Sequence, residues 1–244
     1  MKIVDAVWEK RNLGVETVDF TIEENDEIQN VKAMLSKYDE PYQVMHVPSG
    51  KTDILLCAGE LGFSVIEVNI KLGHKMKDIL IPKLFQRYEK DISYHDAGTE
   101  EIEEILEIVQ QGEMFLTDKI AKDPFFGREK SGQRYRYWCE QVLEKNASVV
   151  VCQYRDENIG FEVYTRNFET NRATNIVGGV FPKHTGGGLG FAPLWVELLH
   201  QKEAGIKSVV TSVSSNNIPV LKLHESLGYQ IQDMTYILIK HLDC

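Results

Sequence analysis

Four closely spaced glycines lie between two apolar segments late in the chain: Gly186, Gly187, Gly188 and Gly190. Glycine lets a backbone approach a ligand closely and adopt left-handed conformations, because it has no Cβ atom. An amphipathic run follows at once, and the first turn of a helix presents unpaired N–H groups and the positive end of its dipole to an anion. Residues of these types in this order predict a site that binds phosphate through main-chain groups.

The spacing of this segment argues against two other kinds of phosphate-binding loop. A P-loop requires Gly-Lys-Ser/Thr after its glycines, whereas Gly190 is followed by Phe191-Ala192-Pro193. A dinucleotide-binding loop follows an early first strand and is followed by an acidic residue about 20 positions further on. Here the glycines come late, Val210 stands at that distance, and the nearest acidic residue is Glu203. Both alternatives are therefore disfavoured.

Predicted secondary structure elements hold the glycine segment in place. Residues 175–181 are typical of a strand, and apolar residues recur at helical spacing from Leu194 to Leu199 after the glycines. Pro193 falls in the first turn of that helix, where its missing N–H costs little. Three further elements are predicted downstream: a strand over 206–213, a helix over 217–228 and a strand over 229–239.

Apolar periodicity also predicts the elements that precede this region. The first 90 or so residues are typical of a small α/β unit, and the following segment alternates helices with strands. The predicted strands cover 15–22, 63–70, 148–154 and 159–165, and the predicted helices cover 23–37, 52–60, 98–112 and 132–145. A mixed α/β (α+β) protein is therefore expected.

Composition limits the class of protein. A chain of 244 residues can form one large domain or two small ones. Its formal net charge is −10 and no basic run stands out, so nucleic acid is not an expected partner. No segment approaches the roughly 20 apolar residues that span a bilayer, and the start of the chain lacks a long apolar stretch. We expect a soluble, cytoplasmic protein without a membrane partner.

The cysteines do not suggest a metal site. Cys57, Cys139, Cys152 and Cys244 form no C-x-x-C pair and have no histidines at zinc-finger spacing. Reduced thiols are the simplest interpretation, and we expect no bound metal.

Two motifs resemble those of the GNAT acyl-CoA-dependent N-acyltransferases. The acyl-CoA motif of that family is V-x-P-x-x-R-x-x-G-x-G. This chain is similar to it at Val180, Pro182, Gly188 and Gly190, and has Thr185 where the arginine is usual. The family's later motif is N-x-x-A-x-x-L-Y-E-x-L-G-F, and His224 stands here in the place of the tyrosine. The positions that fit the later motif are Asn217, Leu223, Glu225, Leu227, Gly228 and Tyr229.

The resemblance covers about residues 112–240 and extends to a subfamily. Phe115-Leu116-Thr117-Asp118 and Arg134-Tyr135-x-x-Trp138 resemble N-acetyltransferases of dTDP-4-amino-4,6-dideoxygalactose (dTDP-fucosamine). Residues 8–14 and 60–63 resemble the first half of those enzymes. The resemblance implies a GNAT-like mixed, mostly antiparallel sheet flanked by helices, with a smaller amino-terminal α/β half. It divides the chain into a degenerate GNAT-like half over 1–95 and an acetyltransferase domain over 96–244.

The resemblance implies acetyl-CoA as co-substrate and assigns residues to it. Gly178 and Gly179 either mark a bulge or close backbone approach that frees main-chain groups for the pantetheine chain, or merely bend the strand. Asn217 either binds the pantetheine amide or caps its helix, or does both. The residues implied in coenzyme binding are Gly179, Val180, Thr185, Gly186, Gly187, Gly188, Leu189, Gly190, Phe191 and Asn217. Lys183 or His184 is a candidate to replace the missing arginine charge.

His224 is the candidate catalytic residue. The tyrosine of the family hydrogen-bonds the sulfur of CoA and protonates it, and an imidazolium with an ordinary pKa near 6.5 has the same ability. A buried histidine without a chemical role is the alternative. No general base is identified, since Glu162, Tyr164 and Arg166 alternate along a predicted strand that an exposed sheet face explains equally well.

Three functions are compatible with these observations. The first is transfer of the acetyl group of acetyl-CoA to a primary amine of a small molecule, with an amino-sugar nucleotide favoured. The second changes the acceptor to an amino acid, a polyamine or a protein N-terminus, and the third is a non-catalytic acyl-CoA-binding module. An acidic acceptor cleft favours a polyamine, whereas a nucleotide diphosphate requires Arg or Lys beside the cleft. A homodimer is compatible with each.

Overall fold

One mixed sheet of ten strands organises the described part of the protein in a computed structural model, which covers residues 1–79 and 81–242. The strands are β1 (Lys2–Asp5), β2 (Thr17–Thr21), β3 (Tyr42–Pro48), β4 (Ser64–Lys75), β5 (Ile92–Asp96), β6 (Ser148–Tyr154), β7 (Glu157–Asn167), β8 (Arg172–Val180), β9 (Ser208–Ser214) and β10 (Gln230–His241). Their spatial order is β1-β2-β3-β10-β4-β9-β8-β7-β6-β5. The pairs β2/β3 and β8/β9 are parallel and the other neighbours are antiparallel. The predicted fold class, a mainly antiparallel sheet flanked by helices, is confirmed.

Helices cover the two faces of the sheet. They are α1 (Val7–Leu13), α2 (Ile28–Leu35), α3 (Thr52–Glu60), α4 (Thr99–Gln110), α5 (Lys119–Lys122), α6 (Gly127–Leu143), α7 (Ala192–Glu203) and α8 (Ile218–Ser226), with 3₁₀ turns at Gln86–Asp91 and Pro182–His184. Because side chains alternate along a strand, β6 contributes to two cores. Val149 and Val151 face the α4/α6 side, whereas Val150 packs in the core that contains Leu198 of α7.

The connectivity repeats along the chain. A helix joins the parallel strands β2 and β3, and α3 then leads into the long strand β4; in the same order, α7 joins β8 to β9 and α8 leads into β10. The last strand of each set crosses over to the other. β10 therefore lies between β3 and β4, and β4 lies between β10 and β9. The division into domains 1–95 and 96–244 stays a prediction, and its last residues, 243 and 244, lie outside the described residues.

The sequence periodicity did not predict several elements that are short or are buried on both faces. β3 is buried along nearly its whole length, so its sequence Tyr-Gln-Val-Met-His-Val-Pro shows no clear polar face. α1, α5, β1 and β5 are at most seven residues long. α6 begins at Gly127, five residues before the predicted start, because its first turns are rich in charged residues.

Three cysteines of the described chain are free and buried: Cys57, Cys139 and Cys152. Cys244, which the sequence also suggested as a reduced thiol, lies outside the described residues. None of the helices in the described ranges is long and apolar enough to cross a membrane.

Candidate active site

The two parallel strands β8 and β9 separate part of the way along their length. They pair at Arg172/Ser208, Ala173/Val209 and Thr174/Val210, and no further. Beyond Thr174 a cavity of about 510 Å³ opens between them, lined by residues 175–180 of β8 and 211–214 of β9. A parallel pair that stops after three residues leaves main-chain groups of both strands without their sheet partners.

Main-chain groups of β8 therefore face the cavity. The N–H of Phe181 donates to the carbonyl oxygen of Ile159 at 2.8 Å, which makes these two residues a hydrogen-bonded pair of the antiparallel β7/β8 ladder. Hydrogen-bonded and non-hydrogen-bonded pairs alternate in such a ladder. Gly179, two residues before Phe181, is therefore also in a hydrogen-bonded pair, and its main-chain groups face β7. We infer that the N–H and C=O groups of Gly178 and Val180 point into the gap.

Distortion of β8 occurs close to this point. The register shifts by one residue, because Val163 pairs with Val177 whereas Tyr164 pairs with Asn175, which leaves Ile176 as the bulged residue. The bulge thus lies two residues before Gly178, so of the two alternatives, a bulge or a close backbone approach, the glycines do not form the bulge. Gly178 instead allows the side chain of Glu162 to pack closely against the backbone of β8, because a Cβ atom at Gly178 would collide with the carboxylate of Glu162.

Part of the glycine segment lines the cavity. Thr185, Gly186 and Gly190 line it, together with Gly179 and Val180. The other four sequence candidates of this segment do not line the cavity: Gly187, Gly188, Leu189 and Phe191. Of these, the side chains of Leu189 and Phe191 are buried in the core, so that they can reach a ligand only through main-chain atoms. Gly186 and Gly188 adopt left-handed conformations, with φ of +84° and +77°.

A cationic side chain from a distant part of the chain lies near the glycine segment. The Thr185 hydroxyl donates to the carbonyl oxygen of Pro182 at 2.8 Å, and Lys183 forms an ion pair with Glu157 at 2.9 Å. By contrast, Arg87 donates to the hydroxyl of Tyr88 at 2.7 Å, and that hydroxyl lies 3.4 Å from the carbonyl oxygen of Gly187. Sequence reasoning missed Arg87, because it lies far from the glycines in the chain.

The side chain of Asn217 lies at the start of α8. Its Oδ1 accepts a hydrogen bond from the N–H of Val220 at 3.3 Å, so it caps the helix. Asn217 also lines the cavity. The cap uses the carbonyl oxygen and leaves the side-chain NH₂ group as a donor for a ligand.

His224 lines the cavity in a tautomer that the structure defines. Its side chain is 3 % exposed, and Nδ1 lies 2.9 Å from the carbonyl oxygen of Val220. Because a carbonyl only accepts, Nδ1 carries the proton and Nε2 presents a lone pair; Nε2 is buried and has no partner among the described residues. Burial lowers the pKa of His224 below its ordinary value, although the hydrogen bond to Val220 opposes this. The site therefore offers a proton acceptor where the sequence predicted an acid.

Two buried carboxyl groups lie close to each other, one of them in the wall of the cavity. Glu162 of β7 lines the cavity and accepts a hydrogen bond from Nδ2 of Asn175 at 3.2 Å, while Glu197 of α7 is fully buried. Burial and the nearby Glu197 raise the pKa of Glu162 well above its usual range, and burial raises the pKa of Glu197 to about 8. Glu162 is thus not on an exposed sheet face. Arg166 bonds to Gln201 at 2.7 Å, and neither it nor Tyr164 lines the cavity.

An aromatic residue connects these carboxyl groups with His224. The ring of Tyr229 packs edge-to-face on His224 with centroids 4.8 Å apart. Burial, Glu197 and Glu162 together raise the pKa of Tyr229. Within residues 1–79 and 81–242, no group of three or more His, Cys, Asp or Glu side chains is arranged to hold a metal ion.

Solved structures with a similar fold are known, although sequence comparison finds no relative. No family model matches the chain, and no curated protein does. A GCN5-related N-acetyltransferase from Sphaerobacter thermophilus matches 98 % of this chain and 75 % of its own, with a TM-score of 0.65 and 10 % identity. A tandem GNAT protein from the clavulanic acid biosynthesis pathway matches 93 % of this chain and 76 % of its own, with a TM-score of 0.55 and 13 % identity.

A third similar structure belongs to a larger protein. It is the GCN5-related glucosamine N-acetyltransferase region of a fungal multi-domain GH3 β-N-acetylglucosaminidase, with a TM-score of 0.66 and 13 % identity. It matches 98 % of this chain, which spans 30 % of that protein. At these identities the likeness shows that the chain has the GNAT fold.

The buried carboxyl of Glu197 makes stability depend on pH. Its pKa is about 8 in the folded protein and near 4.5 when exposed, so the folded state binds more protons between these values, and the free energy of unfolding falls as pH rises through them. Replacing Glu197 by Gln, which mimics the protonated form, should therefore raise the free energy of unfolding at pH 9 by several kcal/mol, the amount that the pKa shift corresponds to. The same replacement should have little effect at pH 4.

Chemical denaturation at both pH values measures this difference. Glu104→Gln, on the exposed side of α4, is the matched control for loss of one carboxylate. An equal effect of Glu197→Gln at pH 4 and pH 9 would contradict the assignment of a raised pKa to this residue.

Proposed function

We propose that the protein is an N-acetyltransferase that moves the acetyl group of acetyl-CoA to a primary amine of a small molecule. One observation carries this proposal: β8 and β9 separate beside a glycine segment, so that unpaired main-chain groups and a left-handed loop border the same cavity. An extended chain with amide groups can pair with such strand edges, and pantetheine is a chain of this kind. The similar structures support the proposal through their shared fold.

The residues present suit an acylated coenzyme. The main chain of residues 185–191 and the N-terminus of α7 would hold its diphosphate, and Arg87 would supply the positive charge that Thr185 lacks. Gly178, Gly179 and Val180 would border the pantetheine arm, with the NH₂ group of Asn217 as a further donor. The four glycines leave room for main-chain contact, which fits a ligand bound by N–H groups.

The chemistry is direct acyl transfer in a ternary complex. The neutral amine attacks the thioester carbonyl carbon, the C–N bond forms, and the C–S bond breaks with its electron pair left on sulfur. A main-chain N–H of β8 would stabilise the oxyanion; in other enzymes such a donor contributes about 3 kcal/mol. One amine proton passes to Nε2 of His224 and from there to the thiolate, so that CoA leaves as the thiol and His224 returns to its neutral form.

The amino-sugar nucleotide acceptor suggested by the sequence resemblance is a narrower proposal. Phe115 and Tyr135 stack with ring centroids 4.1 Å apart in the cavity wall, where a sugar could lie against them. None of the described residues that line the cavity is Lys or Arg, which disfavours a nucleotide diphosphate. The alternative of a non-catalytic acyl-CoA-binding module rests on the departures at Thr185 and His224. Buried free cysteines fit the cytoplasmic location that we propose.

Calorimetric titration with acetyl-CoA and release of CoA thiol test the proposal. We expect saturable binding of acetyl-CoA, and steady thiol release when a panel of primary amines is added. Absence of binding by folded protein would overturn the proposal. Binding without thiol release for any amine would favour the non-catalytic module.

Replacing Gly188 by Val should weaken acetyl-CoA binding by at least about 10-fold. A β-branched residue is strained at a φ of +77°, and its Cβ atom would lie 3.1 Å from the hydroxyl of Tyr88 at the edge of the loop. Gly205→Val is the matched control, because Gly205 also has a φ of +77°, but a Cβ atom there would meet no other atom within 4 Å, and the residue lies beyond the end of α7. Unchanged affinity in Gly188→Val, measured by calorimetry, would contradict the placement of the diphosphate.

Replacing His224 by Phe should lower kcat by roughly 100-fold, the size typical of general acid–base catalysis, and leave acetyl-CoA affinity within a few fold. Because protonation removes the lone pair of Nε2, the wild-type kcat should fall in acid, around a pKa below 6.5, and the variant should lack this acidic limb. His200→Phe is the control, since burial also lowers the pKa of His200, which does not line the cavity. An unchanged kcat in His224→Phe would remove His224 from the mechanism.

A further inference from the structure

Glu162 and Asn175 form a buried polar pair in the cavity wall that is short of hydrogen bonds. They lie on the neighbouring strands β7 and β8, and the side chains of both are at most 5 % exposed. Nδ2 of Asn175 donates to Oε2 of Glu162 at 3.2 Å, but Oε1 of Glu162 and Oδ1 of Asn175 have no partner within residues 1–79 and 81–242. An ionised carboxylate and an amide carbonyl are both acceptors, so neither oxygen can satisfy the other.

A single proton on Glu162 removes both deficits. A neutral carboxyl group has a hydroxyl, which donates, and a carbonyl oxygen, which accepts. Because Oε2 already accepts from Asn175, the hydroxyl falls on Oε1, and Oδ1 of the same amide is available as its acceptor. A carboxylic acid and a primary amide that face each other in this way share two hydrogen bonds in a ring. Buried polar atoms without partners are costly, which favours the neutral form.

The titratable groups that face Glu162 also favour its neutral form. Glu197 faces it from α7, Tyr229 from the turn between α8 and β10, and Cys152 from β6, the other neighbour of β7. These groups are neutral or negatively charged. Burial and the charge of Glu197 together raise the pKa of Glu162 well above its usual range.

Two side chains of this region that can carry positive charge do not cancel the effect. The charge of Arg166, further along β7, favours the ionised form of Glu197, and the negative charge of Glu197 in turn favours neutral Glu162. His224 packs against Tyr229, and burial lowers the pKa of this histidine, so it is uncharged at neutral pH.

The carboxyl group of Glu162 lies at the part of β8 that would face the acyl group under the proposed function, on which this inference rests. Glu162 and Gly178 are opposite residues of β7 and β8. Because Phe181 belongs to a hydrogen-bonded pair, Gly178, three residues earlier, belongs to a non-hydrogen-bonded one, and the side chain of Glu162 packs over it. The main-chain groups of Gly178 point into the gap where the oxyanion would form. A carboxylate at this place would repel that charge in a site of low dielectric.

We propose that Glu162 carries a proton on Oε1 and donates a hydrogen bond to Oδ1 of Asn175, and that this closed acid–amide pair keeps the β8 wall of the cavity uncharged during acyl transfer. Glu162 is a positioning residue in this role, since it neither attacks the thioester nor takes the proton of the amine. Its ionisation in alkaline solution places a negative charge beside the oxyanion and slows the reaction.

Infrared difference spectroscopy at pH 7 tests the pair without coenzyme. Subtracting the spectrum of Glu162→Gln from that of the wild type should leave the C=O band of a protonated carboxylic acid, which an ionised carboxylate lacks. Glu104→Gln, which removes an exposed carboxylate of α4, is the control and should leave no such band. In Asn175→Leu the band should remain but move to higher frequency, because the carbonyl of Glu162 loses its donor. A missing band, or an unmoved band in Asn175→Leu, would overturn the pairing.

The pH dependence of kcat tests the role of the pair in turnover. With saturating acetyl-CoA and amine, the wild-type kcat should fall at least about 10-fold as pH rises through the raised pKa of Glu162, because the protonated form is the active one. Glu162→Gln should lack this alkaline fall, since Gln can form the same two hydrogen bonds with Asn175 and stays uncharged. Glu104→Gln should retain the fall. An equal fall in Glu162→Gln would remove Glu162 from this role.

Replacing Glu197 by Gln separates the two buried carboxyl groups. The alkaline fall should move to lower pH in this variant, because the charge of Glu197 raises the pKa of Glu162. If the fall instead disappears in Glu197→Gln and persists in Glu162→Gln, it belongs to Glu197, and the proposal is overturned while acetyl transfer stands. If acetyl-CoA binds but no amine releases thiol, the proposed function fails and the role in turnover fails with it, whereas the infrared band decides the pair on its own.

Discussion

The parting of β8 and β9 after Thr174 is the feature on which the candidate site depends. Each strand is held on its other side, β8 by β7 and β9 by β4, so the gap between them does not require either strand to be loose. The bulge at Ile176 bends β8 at the point where the pairing ends. Unpaired main-chain groups inside a sheet are costly unless something bonds to them, so a gap of this kind favours a ligand that pairs with strand edges.

The buried polar residues around the gap carry a stability cost that a packed apolar core would avoid. Glu162 and Glu197 are both buried, and neither carboxyl group forms an ion pair in the described residues. A buried carboxyl group resists ionisation, which is why their pKa values rise. Groups with strongly shifted pKa values cluster at functional sites more often than elsewhere, so this cost supports a chemical role for the region.

Much of this arrangement could be predicted from local sequence, and the remainder depended on contacts distant in the chain. α3 follows the predicted range 52–60 because its apolar positions repeat at helical spacing and carboxylates do not interrupt them. The glycines and His224 could be found because they belong to short motifs. Arg87 and Glu197 could not be found in this way. Arg87 is an exposed residue of a 3₁₀ turn, and it becomes a candidate only because the fold places it near the glycine loop. Glu197 is a single glutamate in an apolar helix, and it becomes a candidate only because the fold places it near Glu162. The His224 tautomer likewise depends on the carbonyl of Val220, which only the structure supplies.

The exchange of β4 and β10 between the two repeated sets of strands has a consequence for how the chain is made. β3 and β4 leave the ribosome well before β10, which has to slide in between them. At ordinary translation rates this interval is roughly ten to thirty seconds. During that time β3 presents one open edge and β4 presents two, because both neighbours of β4 are made later. Open strand edges are prone to pairing with other chains. Chaperone protection in this window would matter more for this protein than for one whose sheet closes in chain order.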